Sequence, residues 1–193
     1  DFITIPIEEA KNAYYKEFHH KIRVIPQGFD ICSVKLADYR KNQLPHFAYS
    51  GNVYPYRRDP SLFLEYLCSL FDKDFRFIVY TKTPEIFQRY KSCLKEKLII
   101  NSFIPREDLL KELSRMDFLI NIGNSSTVQQ PSKLIDYYLT RRPILEITSS
   151  FEEREHFNEF LDGNYSHKMI EHDISQYDIS RVANQFLELY QQK

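Results

Sequence analysis

Two groups of residues in this chain have types and spacing that suit an anion. The first is Gly51-Asn-Val-Tyr-Pro-Tyr-Arg-Arg-Asp-Pro60, which follows an apolar run. Its glycine lets backbone approach a ligand closely. Arg57 and Arg58 offer forked donors matched to phosphate oxygens. The plain alternative is a solvated turn with two surface arginines. The second group lies in Asn121–Leu145. An apolar run, Phe118 to Ile122, empties into a small polar loop and then Pro131, a residue suited to the first turn of a helix. Free N–H groups and the positive dipole end make such a start a seat for phosphate. At about 100° per residue, Leu134, Ile135, Tyr138 and Leu139 fall on a core-facing side, and Ser132 and Asp136 share another edge. Asp136 can accept both hydroxyls of a ribose while Ser132 and nearby N–H groups hold phosphates. Alternatively Asp136 is a solvated acid favoured by the helix dipole. Thr81-Lys-Thr-Pro84 and Ile104-Pro105 follow two further apolar runs. They either flank a base or are ordinary loop residues.

These loops need a scaffold that gathers them. Apolar runs alternate with helical patterns from Phe47 onward. Strands are expected at Phe47–Ser50, Phe75–Tyr80, Leu98–Phe103, Phe118–Ile122 and Pro143–Ile147. Helices are expected at Leu62–Phe71, Pro84–Leu94, Arg106–Arg115, from Pro131, at Phe151–Leu161 and at Ile179–Tyr190. Before these, residues 7–18 carry Ala10, Ala13, Tyr14 and Phe18 at helical spacing, Lys21–Ile25 reads as a strand, and residues 31–45 read as irregular linker. Alternating strands and helices predict an α/β, doubly wound parallel sheet with right-handed crossovers, a Rossmann-like fold. Ligands of such sheets bind at the carboxyl ends of the strands near the switch point.

Composition narrows the function. The 193 residues suffice for one ordinary domain with an appendage, and 42% apolar with 27% charged residues is a globular profile. A formal net charge of −1 gives no global field for nucleic acid, so no nucleic-acid partner is expected. No apolar run reaches the length of a membrane helix. Cys32, Cys68 and Cys93 are far apart and form no CxxC pair, so they are read as reduced thiols in a cytosolic protein, without a disulfide framework or zinc site. The sequence lacks a Gly-x-Gly-x-x-Gly fingerprint, a Gly-Lys-Ser/Thr phosphate loop and a Gly-x-Ser-x-Gly elbow. The opening Asp1-Phe-Ile-Thr-Ile-Pro-Ile reads as the end of a strand, as if the chain starts in mid-fold.

Four landmarks together resemble the C-terminal, donor-binding domain of a bacterial GT-B-fold glycosyltransferase of the family-four, glycosyl-transferase-group-one type. Val24-Ile-Pro-Gln-Gly-Phe-Asp30 is similar to the Ile-Pro-Asn-Gly-x-Asp that joins the halves of that fold. Tyr49-Ser-Gly-Asn52 with Arg57 and Arg58 is similar to its Tyr-x-Gly-Arg loop and downstream basic residue. Phe103-Ile-Pro-Arg-Glu-Asp-Leu109 looks like the segment after its third strand. Gln130-Pro-Ser-Lys-Leu-Ile-Asp-Tyr137 with Arg142-Pro-Ile-Leu145 is similar to a Pro-Ser-Lys-x-x-Glu-Tyr variant ending in Lys-Pro-Ile.

The resemblance implies an assignment for each position. Gly51, Asn52, Arg57, Arg58, Ser132 and Lys133 would bind the diphosphate, with either arginine in the basic position. Asp136 would hold the ribose, and Thr81, Ile104 and Pro105 would border the base. Ser126, Gln129 and Gln130 would face the donor sugar. Residues 1–30 would be the tail of a preceding domain with the interdomain connection, and residues 31–193 the nucleotide-sugar-binding domain. Catalytic groups and the sugar or lipid-linked acceptor would belong to the other half. The expected reaction is hexosyl transfer from a nucleoside diphosphate sugar in surface polysaccharide synthesis. It would need no cofactor or metal, and the protein would be cytoplasmic, at or near the inner face of the membrane. This chain departs from the pattern at Asn52, where the family has Arg, and at Val128, where many members carry a sugar-contacting Glu. Those departures keep open a non-catalytic nucleotide-binding or partner module. A nucleotide-sugar epimerase of related fold is a further rival, but no acidic catalytic pair is evident.

Overall fold

A computed structural model describes residues 1–54, 58–123, 133–170 and 173–191. The expected site residues Arg57, Ser126, Gln129, Gln130 and Ser132 lie outside them, as do Val128 and the Pro131 start of the helix. Five strands form one wholly parallel sheet: β3 (His46–Ser50), β4 (Arg76–Tyr80), β5 (Leu98–Asn101), β6 (Phe118–Ile122) and β7 (Ile144–Ile147), in the order β5-β4-β3-β6-β7. The chain winds outward from β3 to β5, then crosses back to lay β6 on the other side of β3. The switch point is therefore between β3 and β6, where successive connections leave the sheet in opposite directions.

Both sheet faces are covered, which explains why these strands read as unbroken apolar runs. On one face Phe47, Phe77 and Phe118 lie side by side across three strands, beneath α1 (Ser61–Ser69) and α6 (Arg154–Leu161). The Phe47 ring stacks between the other two at centroid distances of 4.9 and 4.8 Å, and Phe157 meets it edge-on at 5.4 Å. On the opposite face Ala48, Ile78, Tyr80 and Leu119 pack with α4 (Arg106–Ser114) and α5 (Lys133–Leu139). The last helix, α7 (Ile179–Gln191), buries only Val182. Among the described residues no helix is long and apolar enough to cross a membrane.

Several expectations are corrected. Residues 7–18 do not form an α-helix but two 3-10 segments, Glu8–Ala13 and Lys16–Lys21, neither with a buried residue. Helical spacing stabilises little where no core receives the apolar stripe, because a short helix alone is marginal in water. In front of them β1 (Ile3–Ile5) pairs in parallel with β2 (Ile22–Val24) as a separate two-stranded sheet. The helix expected over Pro84–Leu94 is two short ones, α2 (Glu85–Gln88) and α3 (Lys91–Leu94), divided where the Tyr90 N–H turns back to the Phe87 carbonyl. The helix expected from Phe151 starts at Arg154, since Phe151 sits at φ +45° with its ring buried.

Cys68 and Cys93 are not reduced thiols. They form a disulfide between α1 and α3, with Cα atoms 5.8 Å apart. Their separation of 25 residues carries no sign of this, because only the packing of the two helices brings them together. The thiols therefore lend no support to a reducing compartment.

The irregular residues 31–45 are fastened by one buried carboxylate. Asp117, just before β6, accepts from the Tyr39 hydroxyl (2.7 Å), the Asn42 N–H (3.3 Å), Asn42 Nδ2 (3.1 Å) and the His46 N–H (2.8 Å). Asp117→Ala strands these donors. It should destabilise the chain by about 1–3 kcal/mol in a urea titration, since charge-assisted bonds are lost and part-buried donors left unpaired. A change under about 1 kcal/mol would show that water replaces the carboxylate.

Candidate functional site

The end of β3 turns sharply at Gly51, whose φ of +140° strains any side chain. A Cβ there would lie 3.2 Å from the Tyr49 hydroxyl. The Gly51 N–H donates to the Tyr80 carbonyl at 2.9 Å, and the Tyr49 hydroxyl donates to the Asn52 carbonyl at 2.9 Å. Asn52 Oδ1 accepts the Lys82 N–H (3.1 Å), and the Val53 N–H donates to Thr83 Oγ1 (3.1 Å). The loop after β3 is thus sewn to the loop after β4. Arg58 is positioned by backbone pairing with Tyr54, its N–H donating to the Tyr54 carbonyl at 2.9 Å.

Across the switch point, α5 is pinned to the end of β3. The buried Tyr137 hydroxyl accepts the Ser50 N–H at 2.7 Å and points back to the Ser50 carbonyl at 3.3 Å. One turn earlier, Lys133 extends beside Gly51, its Cδ 3.8 Å from where a Cβ would stand. Its Nζ is fully buried, lies 4.5 Å over the Tyr49 ring and has no hydrogen-bond partner among the described residues. Burial pushes the Lys133 ammonium down to about 7; Arg58 adds to that and Glu146 opposes it. Burial likewise pushes the Tyr49 phenol up to about 12, with Arg58 opposing. A buried cation without a paired anion is costly to a folded protein. Beside a tight glycine turn and the charge of Arg58, it concentrates positive charge at the end of β3.

Asp136 is a turn further on in α5, its side chain 19% exposed. It is not a solvated acid. Arg106, the first residue of α4, donates from Nε to Asp136 Oδ1 at 2.8 Å, and Nη2 lies 2.7 Å from the same oxygen. Burial raises the Asp136 pKa and Arg106 opposes it. At the outer side of the sheet, Thr81 is only 3% exposed and its hydroxyl accepts the Thr83 N–H at 3.0 Å. Ile104 is half-buried against the apolar cluster on the Ala48 face of the sheet, and Pro105 caps α4 from an exposed position. The structure therefore gathers Gly51, Asn52, Arg58 and Lys133 around the Tyr49 side chain at the end of β3, with Asp136 further along α5. Thr81 is held within its own loop.

Sequence reasoning passed over several residues that shape this region. Arg106 lay inside a quoted motif, but nothing local marks it as the partner of an acid 30 residues away. Tyr49 and Tyr137 stood only within quoted motifs, yet both are buried and their hydroxyls fix the loop and helix around Lys133. Glu146 on β7 accepts from Asn121 Nδ2 at 2.9 Å and stands close to Gly123. An acid after an apolar run gives no hint of that placement.

No family model matches the sequence, and no curated protein is significantly similar to it. Solved structures are similar in fold. A glycosyltransferase from Rickettsia africae superposes with a TM-score of 0.65 at 12% identity, covering 100% of this chain and 63% of that one. TarM does so with 0.64 at 12% identity, over 98% of this chain and 43% of its own. HepE from Anabaena, in a structure with UDP-glucose, gives 0.56 at 9% identity, over 90% and 58%. The chain thus spans less than two thirds of the length of these proteins. Sheet order, crossover and superposition agree: the chain has the fold of the Rossmann-like, C-terminal half of a GT-B glycosyltransferase.

Proposed function

We propose that this chain is the donor-binding part of a glycosyltransferase that moves a hexosyl unit from a nucleoside diphosphate sugar. The observation that carries this reading is the buried Lys133 ammonium, without a hydrogen-bond partner among the described residues, near the Gly51 turn and Arg58. A diphosphate supplies the missing anion, and its charge, largest as the leaving group departs, is met by preorganised cations. Gly51, Asn52, Arg57, Arg58, Ser132 and Lys133 are assigned to the diphosphate, and Asp136 to the ribose. Thr81, Ile104 and Pro105 are assigned to the base, and Ser126, Gln129 and Gln130 to the sugar. Because lysine and arginine carry the charge neutralisation, the proposal calls for no metal.

The similar structures are longer than the span this chain matches, and we assign acceptor recognition and the catalytic groups to that additional part. Residues 1–30 are proposed to belong with it and residues 31–193 to the nucleotide-sugar domain. Surface polysaccharide synthesis and a cytoplasmic location, near the membrane's inner face, complete the proposal. A non-catalytic nucleotide sensor is favoured by one observation: Asn52 carries no charge, and its Oδ1 is already occupied by the Lys82 N–H. Both readings require nucleotide binding, and only transferase turnover by the full-length protein separates them.

Thermal shift against UDP, GDP and ADP tests the shared step. At a hundred times its dissociation constant the matching nucleotide should stabilise the chain by about 2.7 kcal/mol. A flat response to all three, with inorganic pyrophosphate equally silent, refutes the diphosphate site.

A further inference from the structure

We infer that Arg106 is the positioning residue for recognition of ribose by Asp136, an inference that rests on the ribose assignment above. An arginine and a carboxylate can meet fork to fork, each nitrogen on its own oxygen. Here they do not. Both Arg106 Nε and Nη2 fall on Asp136 Oδ1, at 2.8 and 2.7 Å, and no hydrogen bond to Oδ2 occurs among the described residues. One oxygen is anchored and the other is left as an acceptor.

The anchor is itself braced. The Arg106 guanidinium lies 5.3 Å from the centre of the Phe29 ring. Phe29 in turn is held by its backbone, its N–H donating to the Tyr177 carbonyl at 2.7 Å and its carbonyl accepting the Ile179 N–H at 2.9 Å. A half-buried guanidinium between a fixed aromatic face and a single carboxylate oxygen has little freedom to turn. It therefore fixes the carboxylate plane and opposes the upward pull of burial on the acid's pKa. A protonated or rotated Asp136 would no longer offer Oδ2 as a charged acceptor. Arg106 need not touch the nucleotide to decide whether ribose is distinguished from a sugar without its hydroxyls.

The test compares UDP, GDP and ADP with their 2′,3′-dideoxy counterparts by calorimetric titration. It uses the unmodified chain and Arg106→Met, Arg106→Lys and Asp136→Asn, each first checked for a cooperative melt. The unmodified chain should prefer the ribonucleotide by about 10- to 100-fold, the worth of a hydrogen bond to a charged group. Asp136→Asn and Arg106→Met should both reduce that preference to less than about 3-fold while dideoxynucleotide affinity changes little. Arg106→Lys keeps the charge without the fork and should fall between. It also stands in should the methionine variant fail to fold. If Asp136→Asn abolishes the preference and both Arg106 variants keep or enlarge it, the positioning role is overturned and the ribose assignment stands. If Asp136→Asn leaves the preference intact, the ribose assignment falls and this inference with it.

Discussion

Lys133→Met should weaken nucleoside diphosphate binding by about 30- to 1000-fold and, at the same time, raise the melting temperature. The first effect follows from removing one partner of a desolvated charge pair, worth about 2–4 kcal/mol. The second follows because the unliganded chain carries that charge with no hydrogen-bond partner among its described residues. A methionine of similar length fills the same space over Tyr49 without the desolvation penalty. A gain of about 1–3 kcal/mol is expected, at about 2–4 °C per kcal/mol for a chain of this size. Opposite signs for affinity and stability distinguish a binding residue from a structural one. Loss of both together would mean that Lys133 has a stabilising partner and no ligand.

The same ammonium sets a pH dependence. It titrates near 7 in the folded chain, against an ordinary value of 10.5. A bound diphosphate favours the charged form and raises that value. Binding above pH 7 must therefore take up a proton, and affinity should fall by up to about tenfold per pH unit as pH rises beyond 7. Stability moves the other way. Between 7 and 10.5 the unfolded chain holds the proton that the folded chain has released, so unfolding takes up a proton and stability rises with pH. Lys133→Met should flatten both slopes. Calorimetric titrations and melts across pH 6 to 9 (roughly the window on either side of that value) would read them.

Phe47→Ala should be the most damaging single change in the core, at about 3–5 kcal/mol. That is a large share of the 5–15 kcal/mol that holds an ordinary domain together. Phe47 is fully buried at the centre of the sheet and lies in register with Phe77 on β4 and Phe118 on β6. Its ring is sandwiched by both and capped by Phe157 from α6. Removing it opens a void lined by five other phenylalanines and forfeits aromatic contacts worth about 0.5–1.5 kcal/mol each. Strands on both sides of the switch point are anchored to that ring, so the loop that follows β3 should loosen as well. Denaturant titration gives the direct measure. A change below about 1.5 kcal/mol would mean that the neighbouring rings close the gap.

The parts legible in the sequence are those whose physics is local. Phe47–Ser50, Phe75–Tyr80 and Phe118–Ile122 read as strands because a strand buried on both faces leaves an uninterrupted apolar run. Gly51 stood out as a place where backbone could approach a ligand, while its positive φ and its contact with Tyr49 became visible only in the fold. What escaped was set by distant partners. Spacing at residues 7–18 says which side of a helix would be apolar but not whether anything will cover it. The Cys68–Cys93 bond depends on two helices meeting. Lysine is ordinarily a surface residue, so nothing around Lys133 announces that its nitrogen is enclosed by Tyr49 and its neighbours. The engagement of Asp136 by Arg106 likewise becomes visible only when α4 and α5 lie side by side.

The short ladder joining Phe29 to Tyr177 and Ile179 has a bearing on how the molecule assembles. Its two sides are about 150 residues apart along the backbone, a very long loop to close for a few hydrogen bonds. The five-stranded sheet that intervenes pairs neighbours in sequence everywhere except β3 with β6, so it closes shorter loops and can condense first, carrying the distant ends toward each other. On a ribosome, at 5–20 residues per second, Ile179 follows Phe29 by roughly 8–30 s. For that interval the brace behind Arg106 has no partner. Phe29 is thus among the last parts of this span to settle, and Asp136 acquires its fixed orientation only once Tyr177 and Ile179 have been made.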